Sequence, residues 1–135
     1  MKFLGQCWKD GKFWLIEVPA LDLMTQGETK KEALLMIKDA IQALINREDI
    51  EVNVESLKDG EFLVGCSEPK FLIALMLKRQ RSAHNLTIQE VVDRLGMSSK
   101  NAYAQYEQGK HEPTTSKISQ FIDVISPNQR IPALF

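Results

Sequence analysis

The feature that most constrains the fold is a change of hydrophobic period at Ser67-Glu68-Pro69. Upstream, apolar and aromatic residues sit in short runs around Asp-Gly pairs. Downstream, they recur at three- and four-residue intervals in segments punctuated by Gly and Pro. A period near two belongs to strands and one near 3.6 to helices, so the chain divides into a sheet-forming half and a helical half. Serine is a suitable N-cap and proline suits a first helical turn, so a helix is expected to open here. The expected organisation is an α+β domain over residues 1–66, a linker over 67–70 and an all-α domain over 71–135. In a chain of 135 residues each half is near the lower limit for burying a core alone, and is expected to lean on a partner.

In the first half, Phe3-Leu4-Gly5-Gln6-Cys7-Trp8 and Phe13-Trp14-Leu15-Ile16-Glu17-Val18 flank Asp10-Gly11, which signals a β-hairpin. Pro19 cannot donate to a ladder and ends the second strand; residues 21–26 are expected to form a short third strand. A second hairpin, residues 51–57 and 61–66 around Asp59-Gly60, repeats the pattern. Between the hairpins Thr29-Lys30-Lys31-Glu32 has the form of a capping box. The helix that follows carries Leu34, Ile37, Ile41, Leu44 and Ile45 on one stripe flanked by Ala33 and Ala40, with Lys31, Glu32, Lys38, Asp39 and Gln42 facing away. Leu35 lies off the stripe, either as a singly exposed leucine or as a partner contact. The result is a small antiparallel sheet with one helix packed on one face. Its other face needs cover from water, the second domain or another chain.

The second half begins with residues 71–77, apolar all round, followed by Lys78-Arg79-Gln80-Arg81. A helix apolar on every side is buried on every side. Thr87-Ile88-Gln89-Glu90 is a second capping box, and Ile88, Val91, Val92 and Leu95 form a core stripe before Gly96. Met97-Ser98-Ser99 is a turn whose serine caps the next helix, in which Tyr103 and Tyr106 share a face before Gly109. Pro113 breaks the chain again; Ile118, Phe121, Ile122 and Ile125 build a last helix, ended by Pro127. The remaining tail is apolar and without period.

The formal net charge is −1, which by itself says nothing of nucleic acid. Residues 1–70 hold nine Lys/Arg against thirteen Asp/Glu, net −4, whereas residues 71–135 hold eight against five, net +3. An acidic half joined to a basic half suggests two jobs. The longest apolar run has seven residues, far below the roughly 20 of a membrane span, and no signal peptide is visible, so a cytoplasmic protein without membrane contact is expected. Cys7 and Cys66 lack C-x-x-C spacing and a nearby His; buried free thiols are expected rather than a disulfide or metal site.

Two short helices joined through a glycine turn, the second with small polar residues outward, form a helix-turn-helix arrangement. Such a second helix enters the major groove, where its first residues reach base edges while flanking cations hold phosphates. Ser98, Ser99, Lys100, Asn101 and Gln105 occupy the contact positions. Asn and Gln can bond adenine in a bidentate manner, and Lys can serve guanine or phosphate. Arg79, Arg81, Lys110 and His111 are candidate phosphate contacts. The plainer reading is a surface helix with ordinary polar residues.

Residues 77–125 resemble the lambda-repressor-like helix-turn-helix family: a cationic first helix, Leu86-Thr87 opening the second, Leu95-Gly96-Met97-Ser98 at the turn, then Tyr106-Glu107-Gln108-Gly109-Lys110 and Pro113. Departures are Val92 where alanine is common, Ile88 where glutamine is usual, and one extra residue between Gly96 and Glu107. The first half, through Phe13-Trp14-Leu15-Ile16-Glu17-Val18-Pro19, then Thr25-Gln26-Gly27-Glu28-Thr29 and Glu32-Ala33, resembles the HicB antitoxin family. That resemblance implies a partial RNase H-like domain that binds and blocks HicA, a small mRNA-cleaving toxin, joined to a domain that represses the shared operon on double-stranded operator DNA. An acidic domain suits a basic RNA-binding toxin; Glu28, Glu32, Asp39, Glu48, Asp49 and Glu51 are candidate contacts.

Two-metal phosphodiester cleavage needs converging carboxylates, and Asp10, Glu17 and Asp22 fall on a turn, a strand and a loop. His84 and His111 have no triad or metal spacing. The expectation is a non-catalytic antitoxin and autorepressor with no cofactor and no metal. It is expected to act as at least a dimer, because one such helix reads few base pairs; residues 71–77 and 131–135 are candidate interface segments. The alternative is a stand-alone transcriptional regulator whose first domain senses a ligand or another protein.

Overall fold

A computed structural model describes residues 1–128 and 131–134. The chain separates into two compact units, residues 1–68 with the C-terminal segment from Ile131, and residues 69–130. The class is α+β: among the described residues there is an antiparallel sheet with one α-helix in the first unit and four α-helices in the second.

In the first unit, strands β1 (Lys2–Asp10) and β2 (Phe13–Val18) form the first hairpin, with Gly11 at φ +61° in its turn. Positive φ at low cost is what glycine supplies there. Pro19–Leu21 is a single 3-10 turn closed by Asp22 in the left-handed region (φ 47°), and only then does β3 (Leu23–Gly27) begin. The third strand therefore starts two residues later than its composition suggests, because proline turns the chain before extended pairing can resume. Helix α1 (Lys30–Ile45) follows, with Thr29 Oγ1 accepting from Glu32 N at 3.0 Å. Strands β4 (Val52–Ser56) and β5 (Glu61–Cys66) close the second hairpin. The strand order is β3-β2-β1-β5-β4, antiparallel throughout.

Alternation assigns the two faces. Phe3, Gly5 and Cys7 of β1 are buried, as are Ile16 and Val18 of β2 and Phe62 and Val64 of β5. Ala33, Ile37 and Ile41 of α1 are also fully buried. Each such Val, Ile or Phe side chain contributes about 1.5–3 kcal/mol by leaving water. Leu44 departs from the expected stripe. It is 41% exposed near the end of α1, whereas Leu35 is 53% exposed, as its position off the stripe implies. Gln42 does not simply face away: Nε2 donates to the carbonyls of Ile50 (2.6 Å) and Arg47 (3.2 Å), and Oε1 accepts from Val52 N (3.2 Å). One amide thus satisfies the backbone of the α1–β4 connection, whose buried polar groups would otherwise lack partners.

Two further expectations are corrected. Ser67 does not cap the next helix; its amide donates to Glu51 O (2.9 Å) and its hydroxyl accepts from Glu51 N (3.0 Å), so it closes the β4–β5 ladder. The C-terminal tail, expected within the helical domain, contains β6 (Ala133–Leu134), which pairs with Lys2 and Phe3, while Leu4 N donates to Pro132 O at 3.1 Å. The reason lies in the register. β1 pairs with β2 only from Gln6 onward, which leaves the backbone of its first residues as an open edge that the tail fills. Phe135 lies outside the described residues. Cys7 is a buried free thiol whose pKa burial pushes up; Cys66 is half-buried, with Sγ 2.9 Å from Glu68 O.

The second unit consists of α2 (Pro69–Ala83), α3 (Ile88–Leu95), α4 (Lys100–Glu107) and α5 (Thr115–Ile125). Among the described residues no helix is long and apolar enough to cross a membrane. Of the segment 71–77, Leu72, Ile73, Ala74, Leu75, Met76 and Leu77 are buried within the single chain, whereas Phe71 is half-buried.

Candidate nucleic-acid interface

Helices α3 and α4 are joined by Gly96, Met97, Ser98 and Ser99, the short glycine-containing connection of a helix-turn-helix. At the start of α3, Thr87 Oγ1 accepts from Glu90 N and Glu90 Oε1 accepts from Thr87 N, both at 3.1 Å, completing the capping box. Its end is set by Gly96 at φ +69°, after which Met97 N returns to Val92 O at 3.1 Å. Ser99 caps α4, its Oγ accepting from Ala102 N at 3.3 Å. The serine that the sequence places among base contacts is thus first a cap, with its hydroxyl proton and a second lone pair left for an outward contact.

Tyr103 is fully buried and meets Phe121 of α5 edge to face, with ring centroids 5.2 Å apart. Burial, then the nearby Glu107 carboxylate, pushes its phenol pKa up. Tyr106 also packs on Phe121, tilted, with ring centroids 5.3 Å apart, and its hydroxyl accepts from Lys117 Nζ at 2.8 Å. These contacts fix the inner face of α4. By helical spacing Asn101, Gln105 and Gln108 then point the opposite way; Asn101 and Gln108 are exposed and Gln105 is half-exposed. Gln108 was not among the residues singled out, although its three-residue spacing from Gln105 was there to be read. Lys100 and Ser98 are exposed at the N-terminal end of α4. A lysine in a first turn opposes the helix dipole, and an anion placed there would be attracted by both.

The structure gives Arg81 a different use from the expected phosphate contact. Its Nε and Nη2 donate to Glu107 at 2.9–3.1 Å and Nη1 donates to Leu86 O at 2.9 Å. The Glu107 side chain is 3% exposed and that of Arg81 18%. The hydrogen bonds from Arg81 to Glu107 raise the guanidinium pKa further. A buried carboxylate is costly unless its charge is paired, and the guanidinium fork meets that need, so Arg81 joins α2 to α4 instead of reaching outward. Arg79 is half-buried on α2, while Lys110 and His111 are exposed in the turn after α4. The His111 ring stands edge-on to Tyr106 at 6.3 Å. His84 also turns inward: its Nδ1 lies 2.8 Å from Gln80 O, so that nitrogen carries the proton. Gly109 makes the turn possible, at φ +73° with Phe71 pressed against it; a Cβ there would come within 2.7 Å of Phe71 Cδ1.

Residues 77–125 match a family model described as helix-turn-helix. No curated protein matches the chain. The second unit is a helix-turn-helix domain, and the coarse function that follows is that of a DNA-binding regulator of transcription.

Proposed function

We propose that the protein is the antitoxin of a type II toxin–antitoxin system, which neutralises a HicA-like mRNA interferase through its first unit and represses its own operon through α4. The observation that carries this reading is the string Thr25-Gln26-Gly27-Glu28-Thr29 with Glu32-Ala33. In this chain it spans the end of β3, the turn and the capped start of α1, ahead of a helix-turn-helix domain. The opposite charges of the two halves support it, since complementary potentials speed encounter and fix orientation with a basic, RNA-binding partner. On this reading the protein is not an enzyme, acts in the cytoplasm, and binds its operator as a dimer or higher oligomer.

The Mechanism is one of occupation. On DNA, Asn101 and Gln105 read base edges, Lys100 and Ser98 meet the backbone at the N-terminus of α4, and Lys110 holds a phosphate beyond its C-terminal end. Co-expression with a short basic reading frame beside the gene tests the antitoxin role. The reading predicts co-purification and relief of toxicity. A neighbour that neither co-purifies nor is silenced would overturn it.

A further inference from the structure

The face of the sheet turned away from α1 is not uniform, and its pattern specifies what it can hold. The strand register places Trp8 opposite Leu15, and Leu15 opposite Gln26. In the next row Gln6 lies opposite both Glu17 and Glu61, and Glu17 lies opposite Met24. Phe13 stands opposite Asp10 at the hairpin end. Trp8 is 36% exposed, Phe13 41% and Met24 55%. These residues share one face because each alternates with a buried neighbour on its strand, as Trp8 does with Cys7 and Leu15 with Ile16.

The charges on that face are one-sided. Among its strand residues the cation is Lys2, which is paired to Glu55 at 3.2 Å. That leaves Asp10, Glu17 and Glu61 around the apolar strip. Glu17 and Glu61 flank Gln6 on the two neighbouring strands, about 10 Å apart by strand spacing. Two copies of this chain apposed through this face would bring these carboxylates together, and a polyanion would meet the same repulsion. A cation with an apolar stem suits the arrangement: its head between the two glutamates, its stem along Leu15, and a neighbouring apolar group against Trp8 and Phe13.

We propose that this face, rather than α1, is the docking surface for a small basic protein, with a Lys or Arg of that partner over Gln6 between Glu17 and Glu61. The proposal rests on the antitoxin reading for the partner's identity, the short basic protein that this reading places beside the gene. The test measures affinity of that protein for the full chain and three variants. Glu17→Lys with Glu61→Lys reverses the pincer, Trp8→Ala removes the anchor, and Leu35→Ala with Met36→Ala alters the exposed outer side of α1. Glu17→Gln with Glu61→Gln provides a milder version should the reversal impair folding, which circular dichroism reads directly.

The expected result is at least a hundredfold loss for the charge reversal, at least tenfold for Trp8→Ala and for the double Gln variant, and less than twofold for the α1 pair. Folded face variants that bind as well as the wild type, or a large loss confined to the α1 pair, overturn this docking surface while leaving the antitoxin reading intact. No complex with the wild type removes both. Conversion of a dimer to a monomer by Trp8→Ala, read by sedimentation without the partner, would make the face an interface between copies and overturn the proposal.

Discussion

The two units treat their buried and exposed polar groups in opposite ways. The helical unit encloses a charged pair, Arg81 with Glu107, and turns the uncharged amides Asn101 and Gln105 outward. The sheet unit holds its fully buried core with apolar side chains and leaves Trp8, Phe13 and Met24 exposed beside carboxylates. The difference teaches where each unit is brittle. In both units stability comes from buried apolar volume; in the second, a few polar contacts also set how α4 is held, so losing one of them is costly there. The chromophores make this separable, because both tryptophans, Trp8 and Trp14, lie in the first unit and both tyrosines, Tyr103 and Tyr106, in the second.

The largest effect is expected from Glu107→Ala. Removing one partner of a buried pair costs about 3–5 kcal/mol, and the tyrosine-monitored denaturation should shift far more than the tryptophan-monitored one. Coincident shifts would show that the units unfold as one body and break the comparison. Ile37→Ala should do the converse, costing about 3 kcal/mol through the cavity left beneath α1 and moving the tryptophan signal first. Thr87→Ala removes the capping box of α3 and should cost about 1 kcal/mol in urea unfolding.

A smaller, pH-dependent effect belongs to Tyr103. Its pKa lies above the ordinary 10.0 in the folded state, so above about pH 10 the unfolded chain binds fewer protons than the folded one. Stability of the second unit should therefore be fully present below pH 10 and fall as pH rises beyond it. Tyr103→Phe should flatten that decline; an unchanged alkaline slope in thermal melts would show that another group causes it. Least of all, Leu35→Ala should change stability by under about 0.5 kcal/mol.

What could be read in the sequence was local. The two Asp-Gly hairpins, the Thr29 and Thr87 caps and the break at Pro69 each depend on residues a few positions apart, and each forms in the structure. What could not be read depended on distant partners. Arg81 looks like a surface cation until Glu107, 26 residues on, is seen to hold it. Gln42 looks solvent-facing until the α1–β4 connection folds over its amide. The tail has no period of its own because two residues suffice to fill the open edge of β1. On α4 the outward positions Asn101 and Gln105 were legible from helical spacing and a serine cap from the turn before it; the bond from Ala102 N identifies the capping serine as Ser99.

The central claim is that the outward face of α4 reads DNA, and a mobility-shift titration on the region upstream of the gene tests it most directly. Lys100→Ala, Asn101→Ala and Gln105→Ala are compared with the wild type at two salt concentrations. Asn101→Ala and Gln105→Ala should each lose about 1–3 kcal/mol of discrimination against unrelated DNA. Lys100→Ala should weaken binding to all sequences and reduce the salt dependence. Unchanged binding in all three variants would contradict the account.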